Sequence, residues 1–145
     1  MAVALVGVTA TIGVLTQSRP TIYVEDQDTG EIYYQTEATD GLTIKLRWIH
    51  SIELEPWEET YVVEGGELFL EELAIKSYGA GVEANPPGVT TVENGVIYTR
   101  GIHQEVEDLR YVHSHRTKHR LLVGDHLIDT PDISHQAFVT LKIKE

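Results

Sequence analysis

The stretch TYVVEGGELFLEELAIKSY, residues 60–78, decides the fold class. It sets Glu64-Gly65-Gly66-Glu67 between two runs of aliphatic, aromatic and β-branched residues. Gly-Gly is a hairpin signal, because both turn residues can take the positive φ that matches the twist of two antiparallel strands. TTVENGVIYTR (90–100) repeats the device with Asn94-Gly95. Upstream, LTIKLRWIH (42–50) alternates Leu42, Ile44, Leu46 and Trp48 with Thr43, Lys45 and Arg47, the period of a half-buried strand. TIYVE and EIYYQTE flank the turn DQDTG (26–30), DLRYVHSH (108–115) and HRLLVGD (119–125) flank a polar turn, and QAFVTLKIKE (136–145) closes the chain with Val139, Leu141 and Ile143 on one face. GIHQEVEDLR (101–110) is the only stretch that offers a short helix. ANPPGV (84–89) is expected in the longest irregular connection. About nine short strands with Gly, Asn and Pro punctuation predict an all-β protein, a single antiparallel β-sandwich or open barrel.

The chain divides at residue 18. MAVALVGVTATIGVLTQSRP carries no charge before Arg19. A spanning helix needs about 20 apolar residues and an export signal needs a basic start, so residues 1–18 match neither pattern fully. They read as an apolar anchor or signal-like segment, with a buried first strand or helix as the alternative, and residues 19–145 as one all-β domain. Arg19, on the domain side, argues weakly against export by the positive-inside rule.

At 145 residues and 41% hydrophobic content the chain is large enough to bury one core. Its 23 acidic against 11 basic residues give a formal charge of −12, which opposes nucleic acid and anionic lipid through the overall field. An acidic surface of this kind also suits a salt-loving organism, although five of the basic residues are Lys. The absence of Cys excludes disulfides, thiolate metal sites and a Cys nucleophile.

Chemistry-bearing residues concentrate in RWIHSIELEPWEE (47–59). If the strand keeps its period through His50, this side chain shares the face of Trp48 and Ser51 takes the opposite one. A Ser51–His50–Glu53 relay is then disfavoured, because a nucleophile and its base must lie within hydrogen-bond reach. The simpler reading holds His50 at a sheet end by a glutamate carboxylate, or makes His50, Ser51 and Glu53 a hydrogen-bonded network that fixes strand register. Pro56 cannot donate to a ladder, so the chain is expected to leave the sheet there and return at Thr60, with Trp57 capping the core. Glu53, Glu55, Glu58 and Glu59 around that bend read as solvated surface, with a divalent cation held by glutamates and His50 as an alternative. Gly79 and Gly81, after a strand, read as a tight turn, with an anion nest as the other option. RYVHSHRTKHR (110–120) offers His113, His115 and His119 as zinc or copper ligands, if the strand runs through His115 and His119 approaches across the turn. Arg110, Arg116, Lys118 and Arg120 crowd the same hairpin and favour a basic interaction patch instead.

Three blocks resemble a known family. His50-Ser51-x-Glu53 with Trp57-Glu58-Glu59, then Ser77-Tyr78-Gly79-Ala80-Gly81 after a strand, then His119-Arg120-Leu121 are similar, in that order, to the signature of the family known as domain of unknown function 1850. The similarity spans roughly residues 40 to 130. It implies a small bacterial or archaeal protein, secreted or membrane-anchored on the extracytoplasmic side, often encoded beside TRAP transporters of the TAXI type, which take up organic acids. It implies no activity and no catalytic residue. The His113-x-His115 pair lies outside the signature, so His50, Glu53 and His119 become the candidate shared cluster.

Two functional expectations follow. The first is a non-enzymatic accessory or binding module working with transporter subunits, without a cofactor, in which the loops around Trp57 and Gly79 to Gly81 form the contact surface. The second is a divalent-metal-binding protein or metal-dependent hydrolase using His50, Glu53 and His119, with His113 and His115 as further ligands.

Overall fold

A computed structural model describes residues 19–79, 81–83, 85–128 and 132–145. The expected N-terminal anchor, residues 1–18, lies outside the described residues. The described chain is all-β, with eleven strands: β1 Thr21–Asp26, β2 Ile32–Glu37, β3 Thr43–Ile49, β4 Pro56–Glu64, β5 Glu67–Ile75, β6 Val89–Glu93, β7 Val96–Val106, β8 Leu109–Val112, β9 Arg120–Val123, β10 His126–Ile128 and β11 Phe138–Lys144. They form two antiparallel sheets, β2-β1-β11-β8 and β10-β9-β3-β4-β5-β7-β6, not closed into a barrel. No helix among the described residues is long and apolar enough to cross a membrane.

Local signals place the hairpins. Gly65 and Gly66 take φ of 61° and 81° between β4 and β5, and Asn94 and Gly95 take 51° and 77° between β6 and β7, the positive pair a two-residue turn requires. Alternation places the core. Ile44 and Leu46 of β3, Tyr61 and Val63 of β4, Leu121 and Val123 of β9, and Val139 and Leu141 of β11 are buried between the sheets with Ile22 and Val24 of β1. Each such side chain contributes about 1.5–3 kcal/mol of burial. The wider sheet extends past the smaller one, and there Trp57, Ile75 and Ile97 form a second buried cluster with Trp48, Leu73 and Val82 around it. Val82 belongs to the long 76–88 connection, which folds back over this extension.

Three expectations are corrected. GIHQEVEDLR is not helical: it runs through the end of β7 into β8, and Gly101 and His103, at φ of 69° and 46°, bulge the strand where Leu70 pairs Gln104 and Glu72 pairs Arg100. Pro56 does not break the sheet: it is the first residue of β4, opposite Ile49, a position where a missing N–H is tolerated. β8 and β9 are not a hairpin, since β8 pairs with β11 in one sheet and β9 with β3 in the other. Residues 113–119 therefore cross between sheets.

The molecule has two distinct ends. The described residues begin at Arg19, a Cβ on Gly66 would lie 3.8 Å from Pro20, and Thr21 pairs with Lys144 there. At the other end lie the 50–55 turn, the start of the 76–88 connection and the 113–119 crossing, where the Ile49 N–H donates to the Thr117 carbonyl at 2.7 Å. Nine-residue β4 separates the two ends by about 30 Å.

Candidate functional site

β3 stops at Ile49, and alternation stops with it. The His50 N–H donates to the Glu55 carbonyl at 2.9 Å and the Leu54 N–H to the His50 carbonyl at 2.9 Å, closing a compact turn. Within it Ser51 is exposed, while the His50 ring stacks on Trp57 at 5.4 Å. His50 Nδ1 contacts Glu53 Oε2, so Glu53 is the carboxylate that holds this imidazole. The Glu53 side chain is itself wedged against Gly79: a Cβ there would stand 1.9 Å from Glu53 Oε1. A Cβ on Gly81 would lie 3.9 Å from the Trp57 ring. The first two sequence blocks thus meet, and glycine is required at 79 for the close approach rather than for its φ. Ser77 is half-buried and Tyr78 exposed beside this junction.

The third block joins by aromatic contact. Cross-strand partners Trp48 and Trp57 stack at 5.5 Å, Trp48 stacks on His119 at 5.6 Å with planes 2° apart, and His119 stacks on Tyr111 at 5.5 Å. The rings of Tyr111, His119, Trp48, Trp57 and His50 form a continuous ladder across the end of the sandwich. His50 and His119 are joined through both tryptophans and do not share a ligand position with Glu53.

The histidines of the crossing are placed differently from expectation. β8 ends at Val112, so His113 and His115 do not share a strand face: His113 is fully buried and His115 exposed. His113 contacts the rings of His115 at 5.5 Å and His119 at 6.0 Å, and His115 contacts His135 at 5.1 Å. Among the described residues no three His, Asp or Glu side chains are grouped to hold a metal ion. The expected basic hairpin also dissolves, with Arg110 on the smaller sheet paired to Asp108 at 2.7 Å and Arg120 on the wider one opposite Arg47.

Burial lowers the pKa of His119, offset in part by the Ser114 carbonyl. Its Nδ1 lies 2.9 Å from Thr117 Oγ1, a hydroxyl able to donate or accept there. A folded pKa below the unfolded value near 6.5 means that the unfolded chain binds the proton more readily as pH falls. The stability due to a neutral His119 is therefore complete above pH 6.5 and lost progressively below it. Urea midpoints from pH 8 to 5 should fall for the wild type and fall less for His119→Phe; parallel curves would refute this role.

Glu58 and Glu59 are strand residues, not a solvated bend. Glu58 faces Lys45, 3.6 Å away, on the outer face. Glu59 opposes Leu46 on the inner face, between Trp57 and Tyr61. Its Oε1 accepts from Trp57 Nε1–H at 3.1 Å and its Oε2 from the Tyr61 hydroxyl at 2.6 Å. Burial, then the Glu59 charge, pushes the Tyr61 phenol up and keeps it a donor. Sequence reasoning missed this inward carboxylate, although the period Trp57, Glu59, Tyr61 would have exposed it had Pro56 been read as a strand start. It also missed Tyr111.

The family model described as Domain of unknown function (DUF1850) matches residues 44–129, more than half of the chain. The protein is a member of that family. The match runs from β3 to the residue after β10, so it takes in the turn, the folded-back connection and the ring ladder, and leaves out β1, β2 and β11. Neither the comparison with curated proteins nor that with solved structures gives a match.

Proposed function

We propose that the protein is a non-enzymatic, extracytoplasmic binding module that docks through the end opposite its N-terminal entry onto a transporter subunit, in keeping with the TAXI-type TRAP association that its family resemblance implies. The observation that carries this reading is an apolar tip. Ile52, Leu54 and Tyr78 are 69%, 73% and 66% exposed, on two loops that meet through Glu53 and Gly79. Leu54 holds φ of 57°, a left-handed conformation that costs a β-carbon residue about 1–2 kcal/mol. Strain that presents a leucine to solvent is a recurrent property of contact sites. Trp57, expected in the contact surface, is instead buried beneath the tip.

The position of the tip suits such a role. A domain tethered through residues preceding Arg19 would hold its apolar loops about 30 Å from the tether, the span of one long strand. The test is capture from gently solubilised native membranes with the tagged full chain. Wild type is expected to recover a TRAP permease or its binding protein. Leu54→Gly combined with Tyr78→Ser should reduce recovery about tenfold or more. Glycine relieves the strain at position 54, so this variant stays folded and a loss of capture reports the contact. Equal recovery by the variant, or recovery of the protein alone from wild-type membranes, would overturn the reading.

A further inference from the structure

Across the outer face of the wider sheet, strand register sets Arg120 of β9, Arg47 of β3, Glu58 of β4, Ala74 of β5 and Tyr98 of β7 in one row. Arg47 lies between two shallow hollows in that face and, with Glu58, lines both. One, of about 240 Å³, is floored by Leu122 and Leu127 and edged by Lys45 and Arg120. The other, of about 170 Å³, is floored by Pro56, Val96 and Tyr98 and edged by Lys76. We infer that this face docks an extended acidic segment of a partner protein, with a carboxylate on Arg47 and an apolar side chain in each hollow.

The charge pattern is the first support. Arg47 is exposed and stands directly opposite Arg120, and like charges facing each other across a ladder cost stability. Its other cross-strand neighbour is Glu58, yet that carboxylate turns to Lys45 at 3.6 Å, and among the described residues Arg47 forms no ion pair. A guanidinium left open on a solvent face offers a planar fork of donors that matches a carboxylate bidentately. Lys45 and Lys76 flank it, held to Glu58 and Glu55 at 3.6 and 3.7 Å. Both pairs are partly exposed and screened by solvent, so an incoming carboxylate can share their lysines.

Charge complementarity also chooses the occupant. Four of the 11 basic residues border this one face, on a chain whose formal charge is −12. That net charge repels a broad anionic surface such as a bilayer, whereas a single carboxylate in a short segment meets mainly the local field around Arg47.

Spacing sets the pattern of the segment. Leu122 on β9 and Ala74 on β5 lie three strand spacings apart, about 14 Å, and residues i and i+4 of an extended chain are about 13 Å apart. An apolar residue, an Asp or Glu two positions later and a second apolar residue two positions after that therefore reach the first hollow, Arg47 and the second hollow. Alternation places all three side chains on one side of the segment. This face is the outside of the sheet, so the inference does not rest on docking through the loop tip.

The test is titration of the isotope-labelled full-length protein with the capped peptide Gly-Leu-Ser-Glu-Ser-Leu-Gly, followed by amide shifts, beside analogues carrying Gln or Lys in place of Glu. Saturable shifts are expected in β9, β3, β4, β5 and β7 with Kd at or below about 1 mM. The Gln and Lys analogues should bind about tenfold or more weakly, and added salt should weaken the Glu peptide severalfold. Arg47→Gln should abolish the preference for Glu over Gln while leaving the thermal transition unchanged or raised, because it removes one member of a like-charge pair. Absence of saturable shifts, equal affinity for the Glu and Gln peptides, shifts centred on the loop tip, or a Glu preference that survives in Arg47→Gln overturns the inference. So does a lowered thermal transition in Arg47→Gln, which would make this arginine structural. Arg47-dependent sedimentation with phosphatidylglycerol vesicles in the absence of peptide binding would overturn it in favour of a lipid headgroup.

Discussion

Trp57→Ala is expected to destabilise the protein by about 3–5 kcal/mol, the cost of emptying a buried indole site. Trp57 is the centre of the second cluster: it touches Trp48 and His50 by ring contact, packs with Ile75 and Ile97, and lies under Gly81 of the folded-back connection. Truncation removes all of these contacts at once and takes the indole donor from Glu59. For a chain of this length the loss corresponds to roughly 10–15 °C in Tm. Trp57→Phe keeps most of the apolar contact and loses the Nε1–H bond, so its cost should be nearer 1 kcal/mol. The damage should also be ordered in space. The main core around Ile44, Leu121 and Leu141 does not include Trp57, so amide exchange in residues 76–83 and in β6 should accelerate before that in β1, β9 and β11. A shift in Tm below 3 °C, or uniform acceleration across both sheets, would show that the cluster is not organised around this residue.

What could be read from the sequence followed the range of the interaction. Gly65-Gly66 and Asn94-Gly95 specify hairpins through two adjacent φ angles, and Ile44, Leu46 and Leu121 specify burial through their own periodicity, so both were legible without knowledge of the rest of the chain. β8 and β9 show where that stops. They are neighbours in sequence with a polar turn between them, yet each finds its partner elsewhere, because β11 is free to accept β8 and the edge of β3 is free to accept β9. Such pairings depend on long connections that no local pattern encodes. Extra strands arose by the same cause, since three-residue β10 is stabilised only by its neighbour β9.

The site was legible as a set of residues and not as an arrangement. His50, Glu53, Trp57, Gly79 and His119 do gather at one end of the sandwich, but the contacts between them are stacked rings and a close backbone approach rather than a proton relay or a ligand shell. Pro56 misdirected the reading of its neighbours. Taken as a break, it turned Glu58 and Glu59 into loop residues, whereas a strand beginning there sends one outward to Lys45 and the other inward to Tyr61. A one-residue change of face separates a carboxylate paired with a surface lysine from one held by two aromatic donors.

Gly79→Ala is expected to cost about 2–3 kcal/mol, and to cost it only while Glu53 is present. The three heavy atoms nearest the added methyl all belong to the Glu53 side chain, at 1.9, 2.4 and 2.8 Å, and a methyl at those distances must displace that side chain. The Glu53 and His50 side chains are only 19% and 18% exposed, so eviction separates a mostly buried contact and loosens the 50–55 turn from the 77–81 loop. Glu53→Ala removes the colliding atoms together with the carboxylate. In that background the three atoms closest to the added methyl are gone, and the glycine substitution should cost less than about 0.5 kcal/mol, leaving a coupling energy of about 2 kcal/mol in the double-mutant cycle. Because the apolar tip is carried on these two loops, Gly79→Ala should also weaken membrane-partner capture in the folded protein, while Glu53→Ala alone, which leaves Gly79 in place, should weaken it less. Additive costs in the cycle would mean that glycine at 79 serves the backbone and not the carboxylate. A tip held together by Glu53 and Gly79 requires the two substitutions to be coupled.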